Sequence, residues 1–251
     1  MARIGETGDP WFRRSLNKLL TPRGVKIVDV TLLNSLVLGD RWKHLVLYFS
    51  RLFSLVKDVP GDVVECGVAS GDSLTILSIL ARNGEVKRHV WGFDSFQGLP
   101  APSEEDLSSP ESAAREGMFC ESNEEKVLSH LRLSGLEDHA IREQVTLVKG
   151  FFSETLPKSS ISSIALLNID ADLYNSCKVC LENLWPKVSP RGIVAFDEYE
   201  SEEWPGEKKA VDEYFSHKTG EVEMHRDPSI GKCYSKSRQR RPNLLLCNEP
   251  E

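Results

Sequence analysis

Apolar positions in this chain recur at two different periods. Over residues 11–57 they return every three to four residues, as in WFRRSLNKLL and RWKHLVLYFSRLFSLV, which predicts two or three amphipathic helices. From residue 62 the texture changes to short apolar runs: DVVECGV (62–68), HVWGFDSF (89–96), VTLVKG (145–150), SIALLNID (163–170) and GIVAFDEY (192–199). Runs of this length predict strands covered on both faces. Helical stretches separate them, for example Asp72 to Arg82 and Glu124 to Leu133, and the alternation predicts an α/β fold with a mostly parallel sheet. Near the end, EVEMHRD and KCYSKS are separated only by PSIG, too short for a helical crossover, so an antiparallel hairpin at the sheet edge is expected. The segment 98–125 is long, acidic and rich in Ser and Pro, and it leaves the carboxyl end of a strand, as a lid would. The organisation expected is a helical segment over 1–60, one α/β domain over 61–237, and a tail over 238–251.

Composition narrows the function. The chain has 251 residues, 40% hydrophobic and 27% charged, enough for one large core. A net charge of −7 argues against a general nucleic-acid binder, which carries a basic face to replace phosphate counterions. The one basic run, KSRQRR at 236–241, is read as a solvated tail. No stretch of about 18 apolar residues occurs, and a cytoplasmic protein is expected. Cys177 and Cys180 form a CxxC with no second pair, on a predicted helix, and are read as packing cysteines rather than zinc ligands.

The candidate chemistry lies at the carboxyl ends of the strands, where open parallel sheets bind ligands. The first run ends ECGVASGDS. Gly67 and Gly71 let backbone approach a ligand, and Ser70 or Asp72 is placed to cap the next helix. The second ends in Asp94, 23 residues after Gly71, the position of an acid that accepts from ribose hydroxyls. The turn departs from GxGxxG, lacks a P-loop Lys, and carries Glu65 where a pyrophosphate would be repelled. A cofactor with a ribose but no phosphates, and with a cationic tail, fits: S-adenosylmethionine. The bland alternative makes Glu65 a buried structural acid. Further on, the fourth run stops in Asp170 and Asp172, and the fifth in Asp197 and Glu198, 27 and 28 residues after Asp170. One crossover brings all four to one edge, where they need a cation unless they protonate, and oxygen ligands suit Mg²⁺, Mn²⁺ or Ca²⁺. Capping of helices by single acids is the competing account.

GDVVECGVASGDS, WGFDSFQGLP, VTLVKGFFSETLP, IALLNIDADLYNS and GIVAFDEYESEEWPGEKKAVDEYF together resemble the macrocin O-methyltransferase family, from about Gly61 to Tyr234. The resemblance implies a Rossmann-like class I methyltransferase fold with a seven-stranded sheet and a terminal antiparallel hairpin. It implies methylation of a sugar hydroxyl in natural-product biosynthesis, with S-adenosylmethionine over Glu65, Gly67, Ser70, Asp94, Ser95, Gly150 and Phe152. It further implies Mg²⁺ or Mn²⁺ on Asp170, Asp197 and Glu198, with Asp172 as general base. Asp172, two residues beyond Asp170, is expected on the same side but further out. Two positions depart from the family: Ala171 stands where Gly is usual, and Glu198 where a second Asp is usual.

Two rival readings differ in kind. A dehydrogenase on a Rossmann sheet requires the missing GxGxxG turn. A non-catalytic cofactor-binding module would have a broken acidic cluster, and here the cluster is intact. His130, His139, His217 and His225 are alternative bases, but none falls at a strand's carboxyl end. The expected partners are a small-molecule hydroxyl acceptor, a sugar by the resemblance, and a second copy of the chain. Neither nucleic acid nor membrane is expected.

Overall fold

The computed structural model describes residues 40–218, 221–227 and 232–238. The expected helices before residue 40, the PSIG turn at 228–231 and the tail after 238 lie outside these residues. In chain order the elements are α1 (Asp40–Leu55), β1 (Asp62–Cys66), α2 (Asp72–Asn83), β2 (Val90–Asp94), α3 (Glu124–Leu133), α4 (Asp138–Gln144) and β3 (Val145–Lys149). There follow α5 (Phe152–Thr155), β4 (Ile164–Ile169), α6 (Tyr174–Leu184), β5 (Val188–Phe196), α7 (Pro205–Ser216), β6 (Val222–Arg226) and β7 (Cys233–Ser237).

The strands form one seven-stranded sheet in the order β3-β2-β1-β4-β5-β7-β6. All neighbours are parallel except β5 with β7 and β6 with β7, so the expected terminal hairpin closes the edge. Strand order reverses between β1 and β4, and that switch point opens a crevice at the carboxyl edge. Alternate side chains feed two cores. Val63 and Leu166 pack with Leu52 of α1, Leu77 of α2 and Leu131 of α3, whereas Val64 and Leu167 pack with Leu181 of α6 and Val211 of α7. Every residue of β4 is buried, which explains its unbroken apolar run.

β5 begins four residues earlier than its apolar pattern predicts. Its partners on β4 shift from Ile164↔Val188 to Leu166↔Ile193. The bulge absorbs Pro190 and Arg191, whose φ is 69°. Those residues hide the strand's start in the sequence.

Candidate active site

At the switch point a cavity of about 660 Å³ opens over the carboxyl ends of β1, β2, β4 and β5. Its first wall is the turn after β1. Gly67 has φ +93°, and a Cβ there would lie 1.7 Å from the Asp170 carbonyl oxygen, so this position requires glycine. Asp94 braces the turn. Its Oδ2 accepts from the backbone N–H of Val68 (2.9 Å) and Ala69 (2.8 Å), and its Oδ1 from Phe96 N–H (2.7 Å). The acid expected to meet a ribose therefore also fixes the loop that would carry the cofactor. Gly71, with φ 91°, is the N-cap of α2 and no side chain caps it, so neither Ser70 nor Asp72 takes the capping role expected of it. Both line the cavity instead.

Glu65 lies beneath this turn rather than in the cavity wall. It is fully buried, and the β1–β4 register sets it beside Asn168, whose Nδ2 donates to Oε1 at 3.0 Å. Oε2 has no partner. Burial raises its pKa to about 8. Gly150 also stands back from the wall, while Gly67, Ser70, Asp94, Ser95 and Phe152 line it.

The second wall is acidic. Asp170, Asp172, Asp197 and Glu198 all line the cavity. β4 ends at Ile169, and Asp172 reaches the site through a left-handed turn with φ 56°, not by strand alternation. Ala69 (φ 44°) and Phe119 (φ 65°) also hold left-handed backbone and line the cavity, so strain concentrates here. Burial, and then the charge of Asp197, hold the Asp170 carboxyl well above the carboxylate range. Burial, followed by Glu198 and Asp197, raises Asp172 to about 7. Glu198 is raised by burial and by Asp197. Behind them Glu207 of α7 is fully buried, and its Oε1 accepts from Glu198 N–H at 3.0 Å.

Two features of this wall are not evident from the strand-end pattern. Lys232 donates from Nζ to Asp197 Oδ1 and, at 3.3 Å, to the Asp197 carbonyl. Among the described residues no three His, Cys, Asp or Glu side chains are grouped so as to hold a metal ion. As arranged, Asp197 holds the Lys232 ammonium through its carboxylate and its carbonyl. The lining also contains six acids, counting Asp72 and Asp94, and no Lys, Arg or His.

Segment 98–123 forms the roof. Leu99 and Gly117 exchange backbone bonds with Met118 and Leu99 (both 2.9 Å), and Asp106 Oδ1 accepts from Tyr174 N–H at 2.6 Å. Leu99, Pro100 and Phe119 from the roof line the cavity with Trp204 and add apolar surface to it. Cys177 and Cys180 are buried free thiols in the core, as expected of packing residues.

Residues 36–227 match the family described as Macrocin-O-methyltransferase (TylF). The chain belongs to this family. Within the macrocin-O-methyltransferase family, it is 39% identical over 160 residues to the demethyldecarbamoylnovobiocin O-methyltransferase of Streptomyces niveus, covering 62% of this chain and 59% of that protein. It is 31% identical over 163 residues to the mycinamicin III 3''-O-methyltransferase of Micromonospora griseorubida, covering 62% and 61%. The match thus spans about three fifths of the length of these curated relatives. Among solved structures, the O-methyltransferase NovP superposes with TM-score 0.66 at 33% identity over 80% of each chain. Calicheamicin methyltransferase CalS11 superposes with TM-score 0.67 at 27% identity, over 93% of this chain and 94% of that one.

Proposed function

We propose that this protein transfers a methyl group from S-adenosylmethionine to a hydroxyl of a sugar carried by a natural product. The observation that carries the reading is the cavity's charge: six acids and no base line a space that also holds a glycine cradle. A dinucleotide pyrophosphate would be repelled from such a wall, whereas a cationic cofactor is attracted. The volume of about 660 Å³ lies in the range of small-molecule sites. Relatives are named for demethyldecarbamoylnovobiocin and mycinamicin III, and a further one, 36% identical over 152 residues, for a rhamnosyl-bearing tetracenomycin C, which supports a glycosylated acceptor.

When bound, S-adenosylmethionine supplies an electrophilic methyl on a sulfonium. Gly67, Ser70, Asp94, Ser95 and Phe152 would seat its adenosine and amino-acid parts, with Glu65 and Gly150 supporting them from behind. Asp172, on the far wall, would receive the proton of the attacking acceptor hydroxyl. With an acceptor bound, the roof would hold its apolar part against Phe119 and Trp204, so that positioning would provide much of the acceleration. Asp170, Asp197 and Glu198 would hold Mg²⁺ or Mn²⁺ only after Lys232 withdraws. Self-association into a homodimer belongs to this proposal as well. Among the described residues no helix is long and apolar enough to cross a membrane.

Incubation with methyl-labelled S-adenosylmethionine and a panel of deoxysugar-bearing acceptors tests the reading. Label in the sugar supports it. Label in none of them, with the cofactor bound, favours the non-catalytic binding module.

A further inference from the structure

The backbone itself places a cation in the acidic wall. β5 and β7 pair antiparallel with Phe196↔Cys233 as their last register pair, so the next residues outward, Asp197 and Lys232, stand opposite one another. The ladder holds Lys232 from its other side, where its carbonyl accepts from Asp227 N–H at 2.8 Å. Its ammonium donates to both the carboxylate and the carbonyl of Asp197. Both side chains are largely withdrawn from solvent, at 20% and 18% exposure. Lys232 also acts electrostatically on Asp170, Asp172 and Glu198.

We propose that Lys232 is the resident counter-ion of the acidic wall, tethered by the β7 hairpin, and that a divalent cation reaches Asp197 only by displacing it. An ammonium and a divalent ion cannot share one carboxylate at contact distance without strong repulsion. Lys232 is thus a positioning residue that fixes Asp197 and sets the threshold for metal binding. The inference rests on the proposed active site, but its readout is metal binding and not methyl transfer, so the two fail separately.

The test titrates Mn²⁺ into the full chain, following the free ion by electron paramagnetic resonance, for wild type, Lys232→Met and Lys232→Arg. Removing the competing charge should tighten Mn²⁺ binding by at least about tenfold in the Met variant, with the Arg variant close to wild type. Equal affinity in wild type and Met, or no binding in either, overturns the proposal. A variant-free measurement guards against misfolding: acylation of Lys232 in the wild type, read by mass spectrometry with and without saturating Mn²⁺. Faster labelling with Mn²⁺ supports displacement, and bound Mn²⁺ with unchanged labelling refutes it.

Discussion

Replacing Glu65 by Gln should make the protein less sensitive to alkaline pH. The carboxyl is fully buried, Asn168 Nδ2 donates to it at 3.0 Å, and burial raises its pKa to about 8 against an ordinary value of 4.5. A carboxyl whose folded pKa is raised holds a proton in the folded state that the unfolded chain has already released. Stability therefore falls as pH rises from the unfolded value to the folded one, at about 1.4 kcal/mol per pH unit. Between about pH 5.5 and pH 8 this amounts to about 3 kcal/mol, an upper bound because buried sites relax. Gln keeps an acceptor for Asn168 and cannot ionise. Urea denaturation of the cofactor-free protein at both pH values should show the Gln variant gaining on wild type by up to that amount at the higher pH. A wild-type-minus-variant difference that does not change with pH would show that Glu65 is ionised and compensated, and the burial argument would be wrong.

Other consequences follow from single positions. Gly67→Ala places a methyl 1.7 Å from the Asp170 carbonyl in a backbone with φ +93°, and should cost more than about 4 kcal/mol or abolish soluble expression; a variant melting with wild type in circular dichroism would refute the cradle geometry. Asp172→Asn should lower turnover by about two to four powers of ten while leaving S-adenosylhomocysteine affinity near wild type. Near-normal turnover in that variant would move the proton to another acceptor.

The sheet was legible because β4 and most of β1 and β5 are buried on both faces and appear as apolar runs without alternation, while β3, at the sheet edge, is only half-buried yet keeps a short apolar run. α4 and α5, of seven and four residues, are too short to show a helical period. The convergence of Asp170, Asp172, Asp197 and Glu198 followed from strand ends one crossover apart. How Asp172 arrives there did not, because a left-handed φ leaves no mark in the hydrophobic pattern. Lys232 escaped notice since it is one lysine among many. Its signal was positional: it opens the last hairpin strand, antiparallel to the strand that ends beside Asp197. Glu207 is hidden similarly, reading as one charge in an amphipathic helix while its carboxyl is buried against Glu198 N–H. The Asp94 brace is tertiary, and sequence spacing could suggest a ligand for it but not the Val68 and Ala69 amides.

The claim on which the account turns is that the anionic cavity seats a cationic, phosphate-free nucleoside cofactor. Calorimetric titration of the full chain with S-adenosylmethionine, S-adenosylhomocysteine and NAD tests it directly. The account predicts one micromolar site per chain for S-adenosylmethionine and S-adenosylhomocysteine and no heat from NAD. Micromolar NAD binding, with neither sulfur nucleoside bound, would contradict it.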